Sequence, residues 1–207
     1  DEIAILRLFG DTPRALAVSP DGLTVYAAVF HSGNQTTAVT EGTPAVPTPG
    51  PLPNAPAPVP APPLPSTQGT LPAPQVGVML QQVGPTTWRD VDGVDHPSVV
   101  RFSLPDHDVF VIDADASVLD DTAITSSIDH VGTVLFNMVV DPTIGTLTSG
   151  RIYVSNTDAN NMDRFEGFGT TSLRGELHHA QISVISGGVA QQRRLNPHIV
   201  YTNLGVQ

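Results

Sequence analysis

Ala15-Leu16-Ala17-Val18-Ser19-Pro20-Asp21-Gly22-Leu23-Thr24-Val25-Tyr26-Ala27-Ala28 is the stretch on which the fold turns. Two apolar runs flank Ser-Pro-Asp-Gly. Proline presets φ for a turn, and glycine accepts the positive φ that other residues resist. Two strand-like runs around a tight Asp-Gly turn predict a β-hairpin. The pattern returns further on. Phe136-Asn137-Met138-Val139-Val140-Asp141-Pro142 is followed, after a longer turn, by Gly150-Arg151-Ile152-Tyr153-Val154-Ser155-Asn156. Both copies read apolar strand, Pro-containing turn, Gly, then a strand with Val or Ile before Tyr, so the chain carries an internal repeat.

Working outward, Ile3-Ala4-Ile5-Leu6-Arg7-Leu8 is a short apolar run broken at Asp11-Thr12-Pro13. Further strands are expected at Val99 to Leu104, Val109 to Asp113, Val134 to Val140, Arg151 to Asn156, His179 to Ile185 and His198 to Tyr201, with no helix of ten residues. Strands of this length between turns indicate a sandwich, a barrel or a propeller. Residues 44–74 hold 13 Pro in 31 residues. Proline removes ladder donors and bars the α region to the residue before it, so this segment is expected as extended polyproline-like chain. It reads as an insertion between strands, or alternatively as a Pro-x-x-Pro ligand without flanking Arg anchors.

Composition narrows the function. Charged residues make up 14% of the 207, with 20 Pro and 18 Gly, against roughly 25% charged in an ordinary globular chain. The net charge of −11 argues against nucleic acid and anionic membrane surfaces, which need clustered cations. Cysteine is absent, so disulfides, thiolate metal sites, attached c-type haem and cysteine nucleophiles are excluded. No apolar run reaches the roughly 18 residues of a transmembrane helix. Asp1-Glu2 opens directly into a strand pattern, which is the expectation for a mature or trimmed product.

Pro13 to Ala28, Val109-Phe110-Val111-Ile112-Asp113 and Tyr153-Val154-Ser155-Asn156 together resemble the YVTN-type β-propeller repeat. Its blades run Pro-x-x-apolar-Ala-Val-Ser-Pro-Asp-Gly, then apolar-Tyr-Val, then apolar-x-Val-Ile-Asp. The resemblance covers about 90 of the 207 residues and leaves the Pro-rich insertion outside. It implies an all-β fold of partial propeller blades, each a four-stranded antiparallel sheet, in a chain of about two blades. The expected division is 1–43 as the first part of a blade, 44–75 as the Pro-rich insertion, 76–130 as the rest of that blade and 131–207 as a second blade. Two blades leave bare flanks, so the expected partners are other protein chains or missing blades that complete the ring. A segment of a longer polypeptide is the preferred form.

Several clusters carry chemistry-bearing side chains. Asn156, Asp158, Asn160 and Asp163, with Glu166 beyond, are spaced as oxygen ligands for calcium, or alternatively as a turn that caps its own backbone. His178-His179 and His198 are candidate metal ligands, although neighbours on a strand face opposite sides. Asp106-His107-Asp108 and Asp129-His130 set acids beside imidazoles, but a Gly-x-Ser-x-Gly elbow and a Gly-rich phosphate loop are both absent. Asn34-Gln35-Thr36 fits the glycosylation pattern, and Trp88 reads as a packing anchor. The resulting expectation is a binding or scaffolding module outside the cytoplasm, with no catalytic residue assigned. The alternatives are a fragment of a redox or hydrolytic propeller enzyme and a surface-layer or filament subunit.

Overall fold

The structure, a computed structural model, describes residues 4–40, 77–91, 93–97, 99–104, 106–142, 150–162 and 176–200. The Pro-rich segment 44–75 lies outside them; of the strand expected at His198 to Tyr201, residues 198–200 form no strand and Tyr201 lies outside. Among the described residues, twelve strands and one 3-10 turn, Asp121–Ala123, make up the regular structure. There is no α-helix among the described residues, so the all-β expectation holds. The chain divides into two compact units: residues 1–34, 106–159 and 176–207 form the first, and 35–105 with 160–175 the second.

The first unit contains β1 (Asp11–Val18), β2 (Thr24–His31), β7 (Val109–Asp113), β8 (Ile124–Ile128), β9 (Val134–Asp141), β10 (Arg151–Ala159), β11 (His178–Ser186) and β12 (Val189–Arg194). They pair antiparallel in the order β1-β2-β7-β8 and β9-β10-β11-β12. A single residue pair, His31 with Val134, joins β2 to β9, so the sheet curls there into two four-stranded leaves. These are partial propeller blades. The predicted hairpin is present: Val18 pairs with Val25 and Ala17 with Tyr26. Gly22 takes φ 78° at its turn, a conformation closed to most side chains. Ser19 Oγ donates to Asp21 and accepts from the Thr24 amide, tying the turn shut.

Strand alternation sends one face of each leaf to a shared core. Ala15, Tyr26, Ala28, Val109 and Ile128 of the first leaf pack with Leu135, Met138, Ile152, Val154 and Ile185 of the second. Each fully buried aliphatic side chain there contributes about 1.5–3 kcal/mol. The opposite face of the first leaf holds Ala27, Val29, Phe110, Ile112 and Ala123, partly covered by Leu6 and Leu8.

The two leaves repeat one another in register. Tyr26 pairs with Ala17, and Tyr153 with Val139. With the tyrosines aligned, Ala17 therefore matches Val139, one position away from a gapless match of the two first strands. Each first strand carries a bulge just before the hairpin core. The register slips between Pro13 and Ala15 in β1, and opposite Ser155 and Asn156 in β9, leaving Arg14 and Phe136 as the extra residues. Phe30 lies between them, under the Arg14 guanidinium at 4.8 Å and with its ring centroid 5.9 Å from that of Phe136.

The second unit is a four-stranded sheet, β3-β4-β5-β6, made by Thr36–Thr40, Gly77–Gly84, Thr87–Asp90 and Asp95–Pro97. Residues 76–130 therefore divide between the sheets, with β7 and β8 completing the first leaf and β4 to β6 lying in the other unit. Val99 and Val100 are buried here without forming a strand. They pack with Val78, Leu80 and Trp88. Trp88 is indeed a packing anchor, fully buried, with Phe102 against it edge-on at 5.9 Å between centroids.

Candidate functional site

β7 and β8 run antiparallel with Val109 opposite Ile128. That register brings the residues before β7 beside those after β8. Asp106, His107 and Asp108 thereby meet Ser127, Asp129 and His130, at the crossover where the chain leaves the first leaf for the second.

Asp108 is fully buried. Its Oδ2 accepts from the backbone amides of Val131 at 2.5 Å and Gly132 at 3.2 Å, and its Oδ1 accepts from Ser32 Oγ. Burial pushes its carboxyl up to about 8, with the neighbouring Asp106 charge adding to the rise and the two amide bonds opposing it. Asp106 Oδ2 accepts from the His130 amide at 2.9 Å and lies 2.5 Å from His130 Nδ1. His130 sits at φ 57°. Ser32 and Gly33 amides donate to Thr133 O at 3.1 and 3.0 Å. These groups form a clasp that pins the crossover to the loop after β2.

Ser127, His107 and Asp129 make a second group. Ser127 Oγ lies 2.8 Å from His107 Nδ1 and donates to Asp129 Oδ1 at 3.1 Å, while His107 Nδ1 is 3.6 Å from Asp129 Oδ1. Hydroxyl and acid thus face the same ring nitrogen. A nucleophilic triad needs them on opposite nitrogens, so that the imidazole takes the hydroxyl proton from one side while the acid holds the other. This arrangement does not supply that relay.

Beyond the crossover lies a buried polar network that sequence reading missed. Asn156 Nδ2 donates to Val154 O at 2.9 Å and Ser183 Oγ at 3.0 Å, and Asn156 Oδ1 accepts from Gln181 Nε2 at 2.9 Å. Ser183 Oγ donates to Val131 O at 2.6 Å. Only the repeated two-residue spacing, Asn156 with Asp158 and Gln181 with Ser183, hinted that polar groups share a strand face. Gly132 abuts this network: a Cβ there would overlap Asn156 Oδ1 and stand 2.7 Å from its Cγ. Asn156 is held by three bonds and has no room to retreat. Gly132→Ala is therefore expected to cost about 1–3 kcal/mol, the usual range for overpacking, read as a lowered urea midpoint; an unchanged midpoint contradicts the fit described.

Of the four residues expected to bind calcium, Asn156 lies in this network and Asp158 Oδ1 accepts from Thr133 Oγ1 at 3.1 Å. Asn160 follows the end of β10, and Asp163 lies outside the described residues. Among the described residues no three His, Asp or Glu side chains gather as a metal-binding group. His179 Nε2 pairs with Glu176 at 2.8 Å, while His178 and His198 are exposed. Asn34 Nδ2 donates to Ala159 O at 2.9 Å.

The second unit holds an acid–imidazole pair of its own. His96 Nε2 lies 2.8 Å from Asp90 Oδ2, and Asp90 Oδ1 accepts from the Val94 amide at 2.9 Å. Both residues are buried, so the pair braces the β5–β6 turn out of reach of a substrate.

The described surface also holds a depression of about 180 Å³ on the outer face of the second leaf, lined by Asn137, Met138, Val139, Tyr153, Ser155 and Ile182. Its floor is mainly apolar, and Val139 and Val189 on the same leaf are 60% and 62% exposed. No protein-family model, no curated protein and no solved structure matches this chain.

Proposed function

We propose that this chain is a non-catalytic propeller segment of the YVTN type, acting outside the cytoplasm as a binding or scaffolding module in a larger protein assembly. One observation carries the reading: the acid, imidazole and hydroxyl groups of the crossover are spent on holding the chain, while the open face of the second leaf is apolar. Asp108 is closed from solvent by its three donors, and Ser127 and Asp129 compete for one nitrogen of His107. Around the depression at Tyr153, by contrast, apolar side chains lie open. Surfaces of this kind mark contacts with other proteins. The acidic charge of −11 weighs against nucleic acid as the partner. No helix among the described residues is long and apolar enough to cross a membrane.

The test pairs a binding readout with a catalytic one. The native chain is expected to enhance the fluorescence of an anilinonaphthalene sulfonate dye, and Val139→Arg to reduce that signal with the circular-dichroism spectrum unchanged. Chromogenic ester, glycoside and phosphate substrates are expected to show no turnover. Turnover abolished by His107→Ala or Ser127→Ala would overturn the reading.

A further inference from the structure

The two leaves meet through faces whose repeat equivalents are exposed around Tyr153 on the second leaf and along β1 on the first. On the first leaf, Ala15, Ala17, Tyr26, Ala28 and Val109 face the second leaf. Aligned on the tyrosines, their counterparts on the second leaf are Asn137, Val139, Tyr153, Ser155 and Ile182. Those five residues, with Met138, line the depression on the outer face. At the other end, the second leaf presents Met138, Val140, Ile152 and Val154 to the first. Their counterparts on the first leaf are Leu16, Val18, Val25 and Ala27. Leu16 and Val18 stand 67% and 52% exposed, whereas Ala27 is buried in the cluster that Leu6 and Leu8 pack against, so this face is open along β1. Tyr26 shows what coverage does: it is 6% exposed, with its phenol pushed up by burial and by the Asp21 charge.

We propose that the outer face of the second leaf, around Tyr153 and Val139, docks the outer face of the first leaf, around Leu16 and Val18, of a second copy of this chain. The contact is head to tail and repeats between copies, along β1, part of the joint that each copy already holds between its own leaves. It rests on the binding-module reading above and names the occupant of that face. The joint already formed is the argument for this occupant: the same two types of surface bury each other within one chain. Because the two surfaces differ, the contact is heterologous and propagates until it closes or runs on.

The experiment is a mixing test by analytical ultracentrifugation on the full chain. The unaltered chain is expected to associate with rising concentration. Val139→Arg and Leu16→Arg remove one surface each, and both positions are exposed enough for the fold to keep its circular-dichroism spectrum. Each variant alone is expected to sediment as a monomer. Mixed in equal amounts they are expected to form a dimer and nothing larger, because one intact head and one intact tail remain. A mixture that stays monomeric, or single variants that still associate, overturns the head-to-tail contact. An unaltered chain that binds the dye yet stays monomeric also overturns it, and shows the face to serve a different partner while the binding-module reading stands. An unaltered chain that neither binds dye nor associates removes both.

Discussion

Asp108→Ala is expected to lower the unfolding free energy of the propeller unit by about 3–5 kcal/mol. The carboxyl is fully buried and accepts from three donors: the amides of Val131 and Gly132, and Ser32 Oγ. Alanine leaves all three facing a space with no acceptor, and each buried unpaired donor costs about 1–3 kcal/mol. Relaxation at the crossover and entry of water keep the total below the simple sum. Asp108→Asn is the informative companion, because it keeps one oxygen for the two amides while removing the titration. Burial and the Asp106 charge raise the Asp108 carboxyl to about 8 in the folded chain, against about 3.9 when unfolded. Between those values the folded state holds more protons than the unfolded state. Unfolding free energy then falls as pH rises, since the slope follows protons bound unfolded minus protons bound folded. The stabilisation is fully present below about pH 3.9 and is lost as pH climbs through about 8. The carboxyls of Asp11, Asp21, Asp95 and Asp120 are held low by hydrogen bonds, to Thr12, Ser19, Arg89 and Thr122 first in each case. They act in the opposite sense, and only as pH falls below the ordinary carboxyl range. Urea midpoints between pH 4 and 8 for the two chains isolate the group: the unaltered chain is expected to lose stability with rising pH relative to Asp108→Asn. Parallel profiles would mean that Asp108 ionises freely in the fold.

The reason so much of the propeller unit was legible lies in its turns and its alternation. Ser19-Pro20-Asp21-Gly22 can do little except reverse the chain, and Gly22 takes the positive φ that its position demands. Val25, Tyr26 and Ala27 then have nowhere to go but alternate faces of a strand. The clasp was half legible. Asp106, His107 and Asp108 stood out as acids beside an imidazole, but nothing in their spacing told that Val109 pairs with Ile128 and so delivers Asp129 and His130 to the same place. Adjacency in space is set by register, which is a property of two strands and not of one. Residues 76–130 contribute strands to two different sheets, and no single strand announces this. Runs such as those ending at Gly84 and Asp90 have strand character whichever sheet they join, and composition holds no information about which edge will accept them. Val99 and Val100 show the limit from the other side: apolar neighbours can be buried by packing on Trp88 and Leu80 without any ladder. The Asn156–Gln181–Ser183 network was invisible because each member, taken alone, is an ordinary polar residue. Its meaning comes from three buried residues on two strands closing on one another.

Leu80→Ala is expected to destabilise the second unit by about 2–5 kcal/mol, the range for truncating a large buried aliphatic side chain. Leu80 is fully buried and packs in one cluster with Val78, Trp88, Val99 and Val100. That cluster is the apolar interior of a four-stranded sheet whose last two strands are only four and three residues long. So small a core has little redundancy, and a cavity at its centre loosens the packing of the tryptophan and the three valines together. The Asp90–His96 pair cannot make up the loss, because polar ties of this kind hold a turn in place without burying apolar area. The chain supplies its own reporter: Trp88 is the single tryptophan, fully buried in the affected cluster. Its emission maximum is expected to shift to longer wavelength at a lower urea concentration in Leu80→Ala than in the unaltered chain. Leu80→Met, which nearly conserves volume, is expected to stay within about 1.5 kcal/mol of the original. A Leu80→Ala chain whose Trp88 transition matches the unaltered one would show that Trp88 draws its burial from somewhere other than this cluster.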